Sequence, residues 1–456
     1  MMKTDVLVIG GSAAGIIAAI TGKSNYPDKD FLLVRREQQV IIPCGIPYIF
    51  GSLESSEKDV IPDKVLSKAG IELKVGEVVS IDPQEKVCQT TDGTQIHYEK
   101  LVLATGSKPR LPRWLKGAGL ENVFMIPKDK VYLDMILGKL QDFQKIVVVG
   151  GGFIGVEMSD ELHKRGKDVT LVEILPHVLG LVFDEEIAAQ ADEILAARGV
   201  TLRTGVGIQE VLGDTQVSGV RLANGEELAA DAVILAMGYA PNTKLAEESG
   251  IPLDKLGFIK VDEYMRTECP DIFAVGDCAE KRGFTTRKVS GVMLASTATS
   301  EARIAGMNLY DLGAVKTFSG TIAIFATAIG GTAFGAAGLT EAAAKKEGFD
   351  VVTGSFQGVD RHPGALAGMH KQLVKLIVAP RSGVILGGEV VGGSSTGELT
   401  NLIGLAIQNR MTVNSLFSMQ LGTHPLLTAP PTAYPLIKAA EAVVKKIKPA
   451  ICAISY

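Results

Sequence analysis

Ile146-Val147-Val148-Val149-Gly150-Gly151-Gly152-Phe153-Ile154-Gly155-Val156-Glu157-Met158 is the stretch on which the fold turns. Its four leading apolar residues read as a buried parallel strand. Glycines at 150, 152 and 155 follow at once, and the residues after them open a helix. In a strand–turn–helix unit of this kind the first glycine makes the tight turn. The second lets the backbone approach a pyrophosphate, and the third lets the helix pack close to the sheet. The next apolar run, Val169 to Val172, ends in Glu173, about 20 residues on, where an acidic residue is expected to hold ribose hydroxyls. A carboxylate there also repels a 2′-phosphate, which favours NADH over NADPH. Met237-Gly238-Tyr239 closes the unit, and Gly238 joins Gly150, Gly152, Ile154, Gly155 and Glu173 as a candidate cofactor contact.

The N-terminus carries the same design. Asp5-Val6-Leu7-Val8-Ile9 is the strand, Gly10-Gly11-Ser12-Ala13-Ala14-Gly15 the turn, and Ile16 to Ile20 the helix. Ser12 stands at the middle glycine position. Two copies of a dinucleotide unit imply two dinucleotides, one on each copy. The second strand of the first copy, Phe31 to Val34, runs into Arg35-Arg36-Glu37 rather than into an acid. Two readings stand there. In one, Glu37 takes the ribose, one or two positions late; in the other, the arginines contact phosphate or face solvent.

Between the copies lies Ile41-Ile42-Pro43-Cys44-Gly45-Ile46-Pro47-Tyr48. Pro43 favours extended backbone before it, and Pro47 suits the first turn of a short helix. Cys44 then precedes a helix N-terminus, where partial positive charge is expected to favour thiolate. A lone cysteine is ordinarily an inert small hydrophobe; the flanking nucleotide motifs are what make Cys44 the candidate for chemistry.

Composition narrows the classes. The chain has 456 residues, 46 % of them hydrophobic and 21 % charged, enough for about three domains. A net charge of −5 argues against nucleic acid as a partner. Five cysteines with no C-x-x-C pair exclude a disulfide framework, a zinc ribbon and an iron–sulfur run, and suit a reducing compartment. No resident metal is expected. The N-terminus has no basic region followed by a long apolar segment, so a cytoplasmic location without a signal peptide is expected. Thr317 to Thr340 is free of charge but is broken by glycine and threonine, and reads as buried strands and a helix start rather than a membrane span.

Further along, Leu101-Val102-Leu103-Ala104-Thr105-Gly106 is a strand ending in a turn, and the prolines at 109 and 112 suggest a crossing into a new domain. A strand ending at Gly276-Asp277 places an aspartate where a ligand hydroxyl is held. Leu294-Ala295-Ser296-Thr297-Ala298 is read as capping a helix that runs to about Asn308, whose N-terminus would stabilise negative charge on a reduced cofactor. The last third is rich in glycine and strands, with helices near 341–347 and 398–409 and a C-terminal helix over 434–448 ending in lysines. Cys452, in the tail, reads as inert. Gly422-Thr423-His424-Pro425 stands out as the remaining polar signature.

Taken together, the glycine turns at 10–15 and 150–155, Ala104-Thr105-Gly106 and Gly276-Asp277 resemble, over nearly the full chain, the flavin-dependent pyridine nucleotide–disulfide oxidoreductases. The resemblance implies an α/β fold: two Rossmann-like domains arranged as in glutathione reductase, plus a C-terminal α+β dimerisation domain. The expected division is 1–112 and 241–316 for FAD, 113–240 for NAD, and 317–456 for the dimer. FAD is then expected on Gly10 to Gly15, Arg36, Glu37, Pro43, Ala104 to Gly106, Gly276, Asp277 and Ser296 to Ala298. By the same resemblance Asp277 matches the residue that binds the ribityl chain, Phe153 an aromatic gate over the flavin, and Glu157 a glutamate beside the nicotinamide.

The two-cysteine C-x-x-x-x-C pair of the disulfide reductases is absent, because Ile49 holds the second position. One cysteine followed by Pro47-Tyr48 resembles the branch of coenzyme A-disulfide reductases, NADH oxidases and peroxidases, and NADH-dependent persulfide or polysulfide reductases. The coenzyme A-disulfide reductases usually have serine four residues before the cysteine and asparagine directly before it; here these are Val40 and Pro43. Coenzyme A is accordingly a candidate ligand rather than an assigned one. Thr423-His424-Pro425 resembles the interface motif that gives an acid/base histidine to the partner subunit. The expected reaction is attack of Cys44 on a sulfur–sulfur bond, with His424 or Tyr48 protonating the leaving sulfur. The helix terminus and flavin are expected to lower the Cys44 pKa. The rival readings are an oxidase or peroxidase, with Cys44 cycling through sulfenic acid, and an NADH-dependent reductase of a small redox protein. The expected partners are a second copy of the chain and a small sulfur substrate.

Overall fold

The computed structural model describes residues 1–312 and 317–447. The tail with Cys452 and the last residue of the expected C-terminal helix lie outside the described residues.

Strand Met2–Ile9 sits at the centre of the first sheet, flanked by Phe31–Arg35 and Gln95–Leu103, with Glu72–Val75 beyond Phe31–Arg35. All four run parallel. The nine-residue strand 95–103 serves two neighbours on its other side. Its first residues pair antiparallel with Val87–Thr90, while Leu101 to Leu103 pair parallel with Ile272–Ala274, far along the chain. That late strand brings Gly276 and Asp277 back to the carboxyl edge of the first sheet. The strands' apolar side chains are buried on both faces, as a parallel sheet covered by helices requires. Helix Ala13–Asn25 packs against helix Ala295–Met307 on one face.

The second copy is a five-stranded parallel sheet ordered Val123–Met125, Ala232–Leu235, Lys145–Val149, Asp168–Val172, Thr201–Arg203. Helix Phe153–Lys164 follows its central strand. A two-stranded antiparallel ladder, Ser107–Pro109 with Tyr239–Pro241, joins the chain's exit from the first sheet to its return from the second.

The last third forms a five-stranded antiparallel sheet, ordered Phe325–Ile329, Thr332–Gly338, Ile385–Gly392, Lys371–Val378, Val352–Val359. Helices Thr396–Gln408 and Pro435–Lys446 cover it. The uncharged run from 317 thus supplies two strands and Thr340, whose hydroxyl caps helix Glu341–Lys346. No helix among the described residues is long and apolar enough to cross a membrane.

Candidate active site

Both glycine turns form as their sequences predict. Gly10 (φ +115°) and Gly150 (φ +109°) occupy backbone that a side chain would strain. A Cβ at Gly15 would overlap the Gly10 carbonyl, and one at Gly155 the Gly150 carbonyl. The third glycine of each turn therefore permits close packing and does not face a ligand. Space is open where Gly106, Gly152 and Gly238 would carry a Cβ, so a ligand can approach the bare backbone there.

The two copies can be superposed by their hydrogen bonds. Gly10 N–H donates to Val34 O at 2.9 Å, and Gly150 N–H donates to Val172 O at 2.8 Å. Arg35 is therefore the counterpart of Glu173. Glu173 Oε2 accepts from Gly151 N–H at 2.5 Å and Oε1 from Leu175 N–H at 2.7 Å, which fixes the carboxylate at the strand end. Arg35 is 3 % exposed, pairs with Asp63 at 2.6 and 2.8 Å, and donates to the carbonyls of Glu37 and Gln38. Its burial corrects the reading in which Arg35 faces solvent; it borders the cavity, with four hydrogen bonds from Nε, Nη1 and Nη2 going to protein. Arg36 stays exposed and donates to Glu37 Oε1 at 3.0 Å, and both line the cavity.

That cavity, of 1480 Å³, runs from one glycine turn to the other. Its wall includes Gly10 to Ala14, Arg36, Glu37, Pro43, Cys44, Ala104 to Gly106, Gly150, Gly152, Phe153, Ile154, Glu157, Glu173, Gly238, Gly276, Asp277, Ser296 and Ala298. A space with bare glycine backbone at each end suits two dinucleotides, and Cys44 lies in its wall. Five expected site residues are not in this wall. Gly15 and Gly155 are buried, and Tyr48 is half-buried behind the wall. Thr297 is buried, with its hydroxyl bonded to that of Thr321 at 2.9 Å. The N-cap of helix Ala295–Met307 is Leu294, the first residue of the expected capping stretch, with no side-chain cap. His424 is exposed on the last third, away from this cavity.

Cys44 sits in the short 3₁₀ turn Pro43–Gly45, directly before the one-turn helix Ile46–Ile49 that Pro47 helps begin. Its thiol is reachable through the open cavity, yet protein encloses it on most sides. Burial raises its pKa above the usual value, the Glu157 carboxylate adds to the rise, and Lys128 opposes it. The expected lowering is thus corrected for the protein alone. One turn of helix carries little dipole, and the surrounding charges are mostly acidic. Burial raises the pKa of Tyr48 strongly, and Glu157 adds to that.

Glu157 is held at about 7, chiefly by burial; its hydrogen bond from Thr327 (Oγ1 to Oε1, 2.7 Å) pulls the other way. Asp277 is nearly enclosed. Burial works against its ionisation, but Lys128 at 2.7 Å and the Ser107 hydroxyl at 2.7 Å hold it below the ordinary carboxylate range. Phe153 stacks on Phe325, with ring centroids 5.3 Å apart at 22°.

Lys128, Phe325 and Thr327 were not legible as site residues. Lys128 follows the strand Val123–Met125 with no motif around it. Phe325 and Thr327 lie on one face of a strand in the last third, and only the packing of that sheet on helix Phe153–Lys164 brings Phe325 to the cavity and Thr327 to Glu157.

Comparison with known proteins agrees with this geometry. Residues 4–302 match the family model described as pyridine nucleotide-disulphide oxidoreductase, and residues 324–434 match its dimerisation domain. The chain is 30 % identical over 423 residues to an NADH oxidase of Enterococcus faecalis, covering 90 % of this chain and 93 % of that one. It is 30 % identical over 439 residues to an NAD(P)H coenzyme A polysulfide/persulfide reductase of Pyrococcus horikoshii, covering 95 % and 96 %. Among solved structures, an NAD-dependent persulfide reductase from A. fulgidus aligns with a TM-score of 0.89 at 28 % identity, over 98 % of this chain and 83 % of that one. A water-forming NADH oxidase from Lactobacillus brevis aligns with a TM-score of 0.87 at 25 % identity, over 98 % and 99 %. The chain belongs to the pyridine nucleotide-disulphide oxidoreductase family, whose members are NAD(P)H-dependent flavoprotein oxidoreductases.

Proposed function

We propose that this chain uses NADH and FAD to reduce a sulfur–sulfur bond through Cys44, with a coenzyme A persulfide or a polysulfide as the substrate class. One observation carries the reading: a single cavity joins both glycine turns, and Cys44 is the one cysteine among the described residues in its wall. FAD would lie on Gly10 to Ala14, Ala104 to Gly106 and Asp277, with Glu37 at its ribose. NADH would lie on Gly150, Gly152 and Glu173, with Phe153 covering the nicotinamide end. The neighbours of Glu173 in the wall, Ile174, Gly207 and Ile208, are uncharged, and Arg203 is paired with Glu226 at 2.8 Å. A 2′-phosphate would find no free cation there, which supports NADH over NADPH.

When bound, the two cofactors supply the electron pair that originates as a hydride on NADH. The protein's part centres on Cys44. Its thiolate forms a bond to the outer sulfur of the persulfide as the sulfur–sulfur bond breaks. The coenzyme A sulfur leaves with the electron pair and takes a proton. Cys44 is left as a persulfide, and two electrons then return it to the thiolate with release of hydrosulfide. Glu157 lies in the same wall and is held near neutrality, so it is placed to exchange that proton within one subunit. Tyr48 stays protonated at working pH but sits behind the wall. His424 can act only in a partner's cavity. The dimerisation-domain match over 324–434 and the exposed Phe417, Leu426 and Leu427 support such a homodimer.

Anoxic reduction with NADH, followed by mixing with coenzyme A persulfide, tests the reading. Reoxidation by persulfide should be fast in the native protein and slowed by at least ~10²-fold in Cys44→Ser, as expected on loss of a nucleophile, while NADH still reduces the variant. Undiminished turnover in Cys44→Ser would sink the proposal. The relatives named as NADH oxidases favour a second reading, with oxygen as acceptor. Fast reoxidation by oxygen and none by persulfide would establish it.

A further inference from the structure

Helix Phe153–Lys164 presents three residues at four-residue spacing, Phe153, Glu157 and Glu161, and so along one face. The first two reach the cavity. Phe153 stacks on Phe325 and Glu157 accepts from Thr327, alternate residues of one strand in the last third. Glu161 does something different. It is 1 % exposed and belongs to no motif in the sequence. Its Oε2 accepts the backbone N–H of Ser52 at 2.5 Å, and its Oε1 pairs with Lys164 at 2.5 Å. Ser52 lies just past the helix Ile46–Ile49 that begins two residues after Cys44. The approach is close enough that a Cβ on Gly51 would overlap Glu161 Oε2 and crowd the Glu161 backbone. A buried carboxylate is costly unless it is paired and hydrogen-bonded. Here both requirements are met by fastening the end of the Cys44 segment to the helix that carries Phe153 and Glu157.

We propose that Glu161 is a positioning residue for Cys44: it ties the thiol segment to the nicotinamide-side helix, so that one rigid element sets the spacing between the thiol, Glu157 and the Phe153 gate. This rests on the reading of Cys44 as the reacting thiol. An aspartate or alanine at 161 would leave Ser52 N–H without its acceptor and let the segment end drift, and a small misplacement of a reacting group lowers the rate steeply. Glutamine keeps an oxygen acceptor for Ser52 N–H.

The test compares Glu161→Ala, Glu161→Gln and Gly51→Ala in FAD-loaded enzyme, using the acceptor that reoxidises the native protein. In Glu161→Ala, kcat with that acceptor should fall about tenfold with KM within about twofold. FAD content and the rate of flavin reduction by NADH should match the native protein. Glu161→Gln should recover most of kcat. Gly51→Ala, which presses on the same contact from the other side, should reproduce the loss and serves if Glu161→Ala does not fold. Native kcat in both Glu161→Ala and Gly51→Ala, or loss of FAD and NADH reduction in step with kcat, would overturn the inference. Cys44→Ser separates the two ideas. An inactive Cys44→Ser beside a fully active Glu161→Ala removes only the inference, whereas a fully active Cys44→Ser removes the Cys44 reading itself.

Discussion

Arg35 and Glu173 occupy matching places in two copies of one unit, yet they do opposite work. Glu173 is held by two backbone N–H groups at the end of its strand, where its free acceptor capacity faces the second turn. Hydrogen bonds to charged groups contribute about 1.5–3 kcal/mol each. Glu173→Ala should therefore raise the KM for NADH by roughly 10- to 100-fold, read from steady-state kinetics, and should reduce the preference over NADPH. Arg35, by contrast, is a buried cation whose only carboxylate partner among the described residues is Asp63. The local sequence told these two apart by charge alone. It could not say that Arg35 is buried and braced by Asp63, because Asp63 is supplied from 28 positions further along the chain. Cys44 shows the same limit. Its place between two prolines was readable, but its pKa is raised first by burial in the fold and then by acidic residues 157, 277 and 59.

At the scale of elements, the two strand–turn–helix units were legible because their glycines answer to local geometry. Where Gly155 packs on the Gly150 carbonyl, a methyl group has nowhere to go. Gly155→Ala should destabilise the chain by about 3 kcal/mol or more, since both partners are backbone and cannot yield as a core side chain does. The check is the urea midpoint, together with loss of NADH binding. The helix after Gly276-Asp277 forms over 295–307 with Leu294, the first residue of the expected capping stretch, at its N-cap. No side chain caps it; the Thr297 hydroxyl, inside the helix, is bonded to that of Thr321, a partner invisible in a window of a few residues.

In the molecule as a whole, the second copy and the last third are clamped by charge. Lys375, 6 % exposed, meets Asp184 at 2.8 Å, Glu186 at 2.5 Å, Glu341 at 3.2 Å and Glu389 at 3.8 Å. One cation cannot balance four anions. Glu389, buried and beside Asp184, is pushed up to about 8. A carboxyl whose folded pKa lies above its unfolded value of 4.5 stabilises the fold fully below that value, and the contribution is lost as pH rises through about 8. Glu389→Gln keeps the neutral form, so the native protein should lose thermal stability relative to the variant between about pH 5 and about pH 8. Thermal melts across that range check it; parallel curves would contradict it.

The sequence by itself determined the two nucleotide units, the Gly-Asp turn and the single cysteine, because each is written in a few adjacent residues whose geometry or chemistry admits few substitutes. The tertiary structure alone decided that Arg35 is a buried brace, that burial and then acidic neighbours raise the Cys44 pKa, that Phe325 and Lys128 reach the cavity, and that Thr327 reaches Glu157. It also decided that Glu161 fastens the thiol segment. Those are contacts between residues far apart in the chain, and they arise only when the sheets pack and bring charge, hydroxyl and ring into the same few ångströms.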